Sequence, residues 1–309
     1  MNMQNCRVVY GETLVELGRE NERIVALDAD LSKSTMTRLF EQEFRERFFE
    51  MGIGEQNMVS VAAGLALCGK IAFVNSFAVF ATGRPYDQIR VSVCIGKVNV
   101  KIVGSSCGIS DFGDGATHQG IEDIAIMRAI PNMTILSPAD GIETRKVVKA
   151  AVEHEGPVYI RIPRNEVPDI TGENQEFKIG KPSVIREGTD VTVFAYGYMV
   201  YKALKAAEAL EKEGISVRIV NVSTLKPIDE KIIRKLSSGV KGIVTVEEHT
   251  IIGGLASVVA FILRGQAVPM EAVAIQDCFG QSALSYEELL EHYGLTDAAI
   301  IKAVKKVLG

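Results

Sequence analysis

The stretch Met51-Gly-Ile-Gly-Glu-Gln-Asn-Met58 leads directly into the apolar run Val59-Ser-Val-Ala-Ala-Gly-Leu-Ala-Leu-Cys68. The second run predicts a buried helix, and Glu55 therefore lies at the N-terminal mouth of that helix. A carboxylate that enters an apolar interior has to be protonated, paired or bound to a ligand, because desolvating it alone is costly. Two interpretations stay open at this point: a ligand site that the glycines let the backbone approach, or a charge that the helix dipole stabilises.

Short apolar runs on both sides of this helix alternate with longer helical periods. The strand-like runs of the first half lie at 24–27, 71–74, 98–103, 133–136 and 158–162. Such alternation predicts an α/β fold in which helices cover both faces of a mainly parallel sheet.

The same pattern restarts after a polar stretch that is rich in proline and glycine. Strand-like runs lie at 191–195, 216–221 and 242–247, with helices predicted over 199–213 and from residue 229. The sequence thus predicts two doubly wound, three-layer α/β/α domains. We expect the first at 1–170, a linker at 171–187, and a smaller second domain at 188–309.

Composition and charge exclude several classes of protein. The 309 residues are 47% hydrophobic and 24% charged, as in globular domains, and the net charge of −5 is not accompanied by a basic cluster. We therefore expect no nucleic-acid partner. Because no apolar stretch or N-terminal signal of the required kind is visible, we also expect no membrane partner and no export. The five cysteines form no CxxC pair, which favours a reducing cytoplasm and no metal site.

Two further segments place chemically versatile side chains at the ends of predicted strands. Segment 75–90 is rich in aromatics and contains Phe77, Phe80 and Tyr86. Core packing is the alternative explanation for such residues, but strand ends in open α/β sheets are where ligands bind. The glycine-rich loop 104–120 contains His118, one of only four histidines, and long polar loops inside α/β domains are usually functional or mobile.

Three motifs in this order resemble transketolase, and the resemblance covers nearly the whole chain. They are Gly-Ile-Gly-Glu-Gln-Asn-Met at 52–58, Phe-Ala-Val-Phe with Arg-Pro-Tyr-Asp-Gln-Ile-Arg within 77–90, and Gly-Asp-Gly-Ala-Thr-His-Gln at 113–119. The chain resembles the C-terminal half, made of a pyrimidine-binding thiamine diphosphate domain and a smaller C-terminal domain. Its length is similar to that of the C-terminal subunit of a split transketolase. The resemblance implies transfer of a two-carbon ketol unit from a ketose phosphate to an aldose phosphate, as in pentose phosphate metabolism.

The resemblance also implies how the cofactor is bound. Glu55 matches a glutamate that hydrogen-bonds a pyrimidine ring nitrogen of thiamine diphosphate, and is therefore a candidate catalytic residue. Phe80 and Phe77 match aromatics that stack on the pyrimidine, and Tyr86 is included with them. Asp30 matches an aspartate near the cofactor.

On the substrate side, the resemblance assigns four residues. His118 and Asp114 match residues that contact sugar hydroxyls, and His118 is suited to proton transfer near pH 7. Arg164 matches a guanidinium that grips the substrate phosphate, a bidentate task that suits arginine. Ser34 matches a hydroxyl that assists it.

Two departures and one incomplete motif modify what the resemblance implies. Ser106 stands where split transketolases have a second active-site histidine, and Gly113 stands where they have an acid, so the identity of the donor sugar is open. Gly113-Asp-Gly115 looks like the start of a diphosphate and magnesium signature, but Asn132 comes too early to complete it. A separate N-terminal subunit would therefore hold the diphosphate and Mg²⁺, and this chain alone would be nearly inactive. The expected assembly is an α₂β₂ heterotetramer built on a homodimer of this chain.

Other interpretations stay open. The beta subunit of a 2-oxo acid dehydrogenase has the same two domains, although the Thr-His-Gln run at 117–119 favours transketolase. A 1-deoxyxylulose 5-phosphate synthase-like enzyme shares the Tyr-Asp-Gln and Thr-His-Gln patterns, although the Ala-Asp-Leu run at 29–31 speaks against it. A catalytically silent assembly subunit would explain the missing histidine, although it would not explain why Glu55 and His118 are retained. The turn around Glu247-Glu-His249 resembles a family feature with a role in assembly.

Overall fold

The computed structural model describes residues 2–309 as an α/β protein with two main sheets and one small ribbon. The strands are Met3–Asn5 (β1), Ile24–Asp28 (β2), Phe48–Glu50 (β3), Ile71–Phe77 (β4), Val100–Ser105 (β5), Thr134–Leu136 (β6), Val158–Arg161 (β7), Glu166–Pro168 (β8), Ser183–Arg186 (β9), Val191–Ala195 (β10), Val217–Asn221 (β11), Thr224–Lys226 (β12), Gly242–Thr250 (β13) and Met270–Ile275 (β14). The ribbon pairs β1 with β8 in antiparallel fashion.

Helices connect most of these strands. They are Cys6–Glu20 (α1), Ser32–Thr35 (α2), Arg38–Glu43 (α3), Glu55–Leu67 (α4), Ala78–Gly83 (α5), Tyr86–Gln88 (α6), Asp123–Ala129 (α7), Gly141–Glu153 (α8), Met199–Glu211 (α9), Glu230–Leu236 (α10), Leu255–Ile262 (α11), Tyr286–His292 (α12) and Asp297–Leu308 (α13), with 3₁₀ turns at Arg45–Arg47 and Gly115–Thr117 and a π-helical turn at Ile89–Cys94. Five begin after capping side chains, which are Asn5, Asp140, Asp229, Ser285 and Thr296. Within residues 2–309 no helix is long and apolar enough to cross a membrane.

The first sheet has seven strands in the order β12-β6-β7-β5-β4-β2-β3, all parallel except β12. The inner strands β2, β4, β5, β6 and β7 are buried along their whole length, because helices cover both faces. Neighbouring side chains of β2 illustrate this, since Leu27 packs into one hydrophobic cluster and Ala26 into the cluster on the opposite face. The mainly parallel, three-layer α/β organisation predicted for the first half is therefore confirmed. The edge strand β12 comes from the second half of the chain.

The second sheet has five strands in the order β14-β13-β10-β11-β9, and only β9 is antiparallel to its neighbour. This confirms a second, smaller sheet domain. Strand β9 lies inside the segment 171–187 that the sequence presented as a linker. Its four residues are all only half buried, so they produce neither an apolar run nor a clear alternation. The boundaries at 170 and 188 stay a prediction.

The carboxyl ends of the parallel strands bring distant segments together at one edge of the first sheet. Phe77 at the end of β4 pairs with Ser105 at the end of β5, and Gly104 pairs with Arg161 of β7. Helix α4 begins at Glu55, five residues after β3 ends. Residues that follow these strands therefore lie close together. In open α/β sheets, ligands bind at this end of the strands.

Candidate functional site

Glu55 is the first residue of α4, and its side chain is almost completely buried, with 4% exposure. Gly52 has a φ of +62°, a left-handed conformation that glycine adopts without strain in the turn before the helix. One carboxylate oxygen, Oε1, accepts a hydrogen bond of 2.6 Å from Nη1 of Arg84. Within residues 2–309 the other oxygen, Oε2, has no hydrogen-bond partner and is available to a ligand.

Aromatic rings lie beside this carboxylate. The Phe80 ring has the Arg84 guanidinium 3.9 Å from its centre. Phe77 and Phe80 are stacked, with ring centres 6.1 Å apart and planes 23° from parallel. The His118 ring approaches Phe80 edge-on, at 5.1 Å and 74°. The sequence motif at 84–90 contained Arg84, but only the fold revealed that it contacts both Glu55 and Phe80.

These side chains surround a cavity of about 270 Å³. Glu55, Phe80 and His118 form its walls together with Arg84, and Asp30 lines it as well. Of the predicted cofactor residues, Phe77 is buried behind Phe80 and reaches the site through ring contacts. Tyr86 packs partly buried against the hydrophobic core and is not among the residues that line the cavity.

The donor set of this cavity fits a flat heteroaromatic ring such as an aminopyrimidine. Phe80 offers an aromatic face for stacking, and the unpartnered Oε2 of Glu55 can share a proton with a ring nitrogen. The cavity is lined mainly by apolar and aromatic groups, with a few convergent polar ones, as is typical of ligand sites. Within residues 2–309 no group of three or more His, Cys, Asp or Glu side chains is placed to hold a metal ion.

The segment that follows β2, including the short helix α2, carries two of the predicted site residues, Asp30 and Ser34. Buried Asp28 organises this segment by accepting hydrogen bonds from the amide of Leu31 (2.7 Å) and the hydroxyls of Thr35 (2.7 Å) and Thr37 (2.8 Å). Burial raises the pKa of the Asp28 carboxyl to about 6, against the opposing effect of these hydrogen bonds. Asp30 adopts a φ of +62° and is exposed towards the cavity.

A second group of charged residues lies near this segment. Arg164 donates to Oδ1 of buried Asp111 at 2.7 Å and lies 3.7 Å from Asp114. Arg7 donates to the backbone oxygen of Ser34 at 2.9 Å. Burial lowers the pKa of the Arg7 guanidinium, the nearby Arg164 cation lowers it further, and the Asp111 carboxylate opposes both. Two guanidiniums and the carboxylates of Asp111 and Asp114 therefore gather in one place.

Sequence reasoning missed two members of this group. The Nε of Arg7 is buried without a hydrogen-bond partner in the described chain, as expected of a group that awaits a ligand. Asp111 fixes the orientation of Arg164 but is fully buried. Neither residue belonged to the three motifs; Arg7 lies in the first turn of α1, far from them in sequence.

His118 follows the 3₁₀ turn Gly115–Thr117 and is half buried. Its Nδ1 is hydrogen-bonded to the Thr117 hydroxyl at 2.8 Å, which leaves Nε2 for a ligand. Asp114, at 53% exposure, precedes this turn. Ser106 is fully buried with a φ of +53°, and within the described residues its hydroxyl has no partner. Gly113 is exposed, with open space beside it.

Comparison with known proteins agrees with this geometry. The family model "Transketolase, pyrimidine binding domain" matches residues 2–169, and "Transketolase, C-terminal domain" matches residues 180–300. The chain is 43% identical to the 6-deoxy-6-sulfo-D-fructose transketolase subunit SqwH of a Clostridium species, over 97% of this chain and 94% of that one. It is 39% identical to one of the subunits of the apulose-4-phosphate transketolase of Phocaeicola vulgatus, over 97% and 96%.

A solved structure gives the same result for the fold. The protein titled "Split gene transketolase, inactive beta4 tetramer" superimposes with a TM-score of 0.88 and 48% identity, covering 98% of this chain and 97% of that one. The fold, the two matching domains and the full-length similarity to separate transketolase subunits all agree. The chain therefore belongs to the transketolase family, among the C-terminal subunits of its split-gene members.

Proposed function

We propose that the chain is the C-terminal subunit of a thiamine diphosphate-dependent transketolase that moves a two-carbon ketol unit from a ketose to an aldose. The observation that carries this proposal is the buried Glu55 carboxylate, which lines a cavity together with Phe80 and His118 and whose Oε2 has no hydrogen-bond partner within the described residues. A buried acid beside an aromatic stacking surface is the arrangement that binding and proton sharing with an aminopyrimidine require.

Glu55 and the aromatic residues bind the cofactor's pyrimidine in this proposal. Phe80, supported by Phe77, packs against the ring and excludes water from it. Glu55 holds a proton between Oε2 and a ring nitrogen, and the hydrogen bond from Arg84 keeps the carboxylate from rotating. Asp30, exposed in the same cavity, is proposed as a further contact to the cofactor.

Thiamine diphosphate, when bound, supplies a carbon nucleophile that attacks a carbonyl group and then accepts the electrons released when a carbon–carbon bond breaks. Protons must move on the substrate hydroxyls as this happens. His118 is placed for the task, because the bond from Thr117 to its Nδ1 leaves Nε2 free beside Phe80. Asp114 is proposed to bind a sugar hydroxyl.

The guanidiniums of this charged group are proposed to bind an anionic substituent at the far end of the sugar. Arg164 and Arg7 supply two guanidiniums, and Ser34 lies beside Arg7. Planar guanidiniums match the tetrahedral oxygens of a phosphate bidentately. A phosphate or a similar anion is therefore the substrate class that we propose, and sugar phosphates of the pentose phosphate type are the first candidates.

The identity of the donor sugar is left open by the small residues at the end of β5. The unpartnered hydroxyls of Ser105 and Ser106 are both buried near the end of β5, where the resemblance leads one to expect a histidine at 106. Small polar side chains leave room for a bulkier or differently substituted ketose. We therefore propose ketol transfer as the reaction without assigning one ketose.

A separate N-terminal subunit is proposed to complete the site. It would bind the diphosphate and Mg²⁺, and the two subunits would form an α₂β₂ heterotetramer around a homodimer of this chain. Ile53 supports this proposal, because it lines the cavity and yet is 76% exposed, as expected of a side chain that a partner covers. We place the assembly in the cytoplasm, since the exposed Cys68 and Cys278 are free thiols.

Mixing experiments test the proposal. The chain would be combined with a separately produced N-terminal transketolase section, thiamine diphosphate and Mg²⁺, and two-carbon transfer assayed over a panel of ketoses with and without phosphate. We expect transfer by the pair and almost none by either part alone. Reduction of an artificial electron acceptor at the expense of a 2-oxo acid, without ketol transfer, would instead identify a decarboxylase subunit. No activity with any substrate, despite a stable complex, would favour a silent assembly subunit.

A further inference from the structure

The first residues of the loop that carries His118 are hydrogen-bonded to the second domain. Glu248, near the end of β13, is 3% exposed and accepts a hydrogen bond of 2.7 Å from the backbone amide of Ile109. The other carboxylate oxygen of Glu248 accepts from the Tyr286 hydroxyl at 2.7 Å. Gly108 is required at this contact, since a Cβ there would overlap the Glu248 carboxylate. The first turn of the loop thus depends on a side chain from another domain.

The later residues of the same loop are also hydrogen-bonded to the second domain. Gln119 donates to the backbone oxygen of Gln281 at 3.0 Å, and the Ala283 amide donates to the oxygen of Phe112 at 2.9 Å. Gly280 packs so closely that a Cβ there would overlap the Gln119 amide oxygen. These contacts come from the extended segment 279–283, which precedes α12.

The contacts reach the backbone of His118 itself. The amides of His118 and Gln119 both donate to the oxygen of Gly115, at 2.9 and 3.2 Å, and a Cβ at Gly115 would overlap the Ser282 hydroxyl. Gln119 also donates to the oxygen of Asp111 at 3.1 Å, the residue that orients Arg164. The second domain therefore contacts the segments that carry both His118 and Asp111, the partner of Arg164.

We propose that the second domain acts as a clamp on the substrate loop 107–120, with Glu248 and the segment 279–283 as positioning elements for His118 and for the Asp111–Arg164 pair. The inference rests on the proposed function for its catalytic consequence, but the clamp itself is a property of the folded chain. It gives the second domain a role in substrate affinity. Of the cofactor groups, Glu55 is hydrogen-bonded to Arg84 outside the loop, and Phe80 contacts the loop through the His118 ring.

Hydrogen exchange on the full chain tests the clamp without any assay of activity. In Glu248→Ala, the Ile109 amide loses its acceptor, and we expect peptides from 105–119 to exchange about tenfold faster or more, while peptides from β10 and β11 are unchanged. Burial raises the pKa of Glu248 to about 7, so Glu248→Gln is a close neutral replacement that should restore slow exchange. The matched control is Glu187→Ala, at an exposed glutamate that pairs with Arg218 at the surface.

A second variant acts at the other end of the loop and remains informative if Glu248→Ala fails to fold. Gly280→Ala adds one methyl group against Gln119, and its control is Gly172→Ala, where a methyl makes only ordinary contacts. Gly280→Ala should also accelerate exchange over 111–119. Unchanged exchange in this loop in Gly280→Ala and in a folded Glu248→Ala would overturn the inference.

Kinetics of the reconstituted complex then test the catalytic consequence. We expect the KM for the ketose to rise about tenfold or more in both variants, with the affinity for thiamine diphosphate unchanged and Glu248→Gln close to wild type. Weakened cofactor binding with an unchanged KM would contradict the assignment to the substrate side. If the wild-type complex shows no ketol transfer, the proposed function fails, and the exchange results still decide whether the clamp exists.

Discussion

Arg84 connects the two groups that are proposed to hold the cofactor's pyrimidine: it donates a hydrogen bond of 2.6 Å to Glu55, and its guanidinium lies 3.9 Å from the centre of the Phe80 ring. Burying a charged carboxylate without a partner is costly, and this partner occupies Oε1 and leaves Oε2 for a ligand. Arg84 itself is 44% exposed, so the contact lies at the cavity edge.

Replacing Arg84 by alanine should harm both stability and catalysis. Leaving a buried acceptor unpartnered costs about 1–3 kcal/mol, so we expect Arg84→Ala to lower the free energy of unfolding by that amount in denaturant titrations. We also expect the ketol-transfer kcat/KM of the complex to fall about tenfold to a hundredfold, because the carboxylate loses its fixed orientation. Arg84→Lys keeps the charge but not the planar stacking and should recover more stability than activity.

The control for Arg84→Ala is Arg145→Ala. Arg145 pairs with Glu16 at 2.6 Å, but both side chains are well exposed, and such pairs contribute about 1 kcal/mol or less. Equal effects of the two substitutions on stability and on transfer rate would show that the Glu55 contact has no special importance.

Arg164 should distinguish phosphorylated from unphosphorylated sugars. Its guanidinium is held by Asp111 at 2.7 Å and lies near Arg7. A hydrogen bond to a charged group contributes about 1.5–3 kcal/mol, so Arg164→Ala should raise the KM for a phosphorylated ketose about tenfold to a hundredfold. The KM for the same ketose without phosphate should change little. The measurement is a pair of steady-state titrations on one complex, and a parallel loss for both sugars would remove the phosphate-binding role.

Glu248 should make stability depend on pH in a way that a glutamine does not. Burial raises the pKa of this carboxyl from 4.5 to about 7, against the opposing effects of the Arg161 cation and the Tyr286 and Ile109 hydrogen bonds. Between these two pH values the native chain holds a proton that the unfolded chain has released, so the free energy of unfolding falls as the pH rises. The glutamine side chain of Glu248→Gln does not titrate, so it contributes no such dependence of stability on pH.

The difference between the two proteins isolates this one group. As the pH rises from 4.5 to 7, we expect wild type to lose stability relative to Glu248→Gln by roughly 3 kcal/mol, at about 1.4 kcal/mol per pKa unit. Other groups, including His249, whose burial lowers its pKa to about 4, titrate equally in both proteins. Parallel stability curves from denaturant titrations over this range would contradict the prediction.

The central strands of the fold were predictable because each of them is marked by an apolar run in its own segment of sequence. The run at 191–195 is observed as β10 with the same bounds, and helix α9 begins at Met199 as predicted, since continuous apolar runs mark parallel strands. Strands at the edges were not predictable. Phe48–Glu50 and Thr224–Lys226 are three residues long, too short for a period, and the second pairs with β6 nearly ninety positions earlier.

The site residues that belong to sequence motifs were predictable. The site contacts that join segments distant in sequence were not. Glu55, Phe80 and His118 line one cavity, as three motifs in the correct order indicated. Arg7 reaches the Arg164 group only because α1 packs beside the loop after β2, and the contact of Glu248 with Ile109 joins residues 139 positions apart. The spacing of residues within one segment cannot predict a contact between two distant segments.

Glu55→Gln in the reconstituted complex is the most direct measurement of the proposed mechanism. Glutamine keeps the size of the side chain and can still accept from Arg84, but it cannot share a proton with a pyrimidine nitrogen. We predict that ketol-transfer kcat falls by about 10²–10⁴-fold, while the complex still assembles and still binds thiamine diphosphate in a calorimetric titration. Transfer at the wild-type rate by Glu55→Gln would contradict the role of this carboxylate and the function built on it.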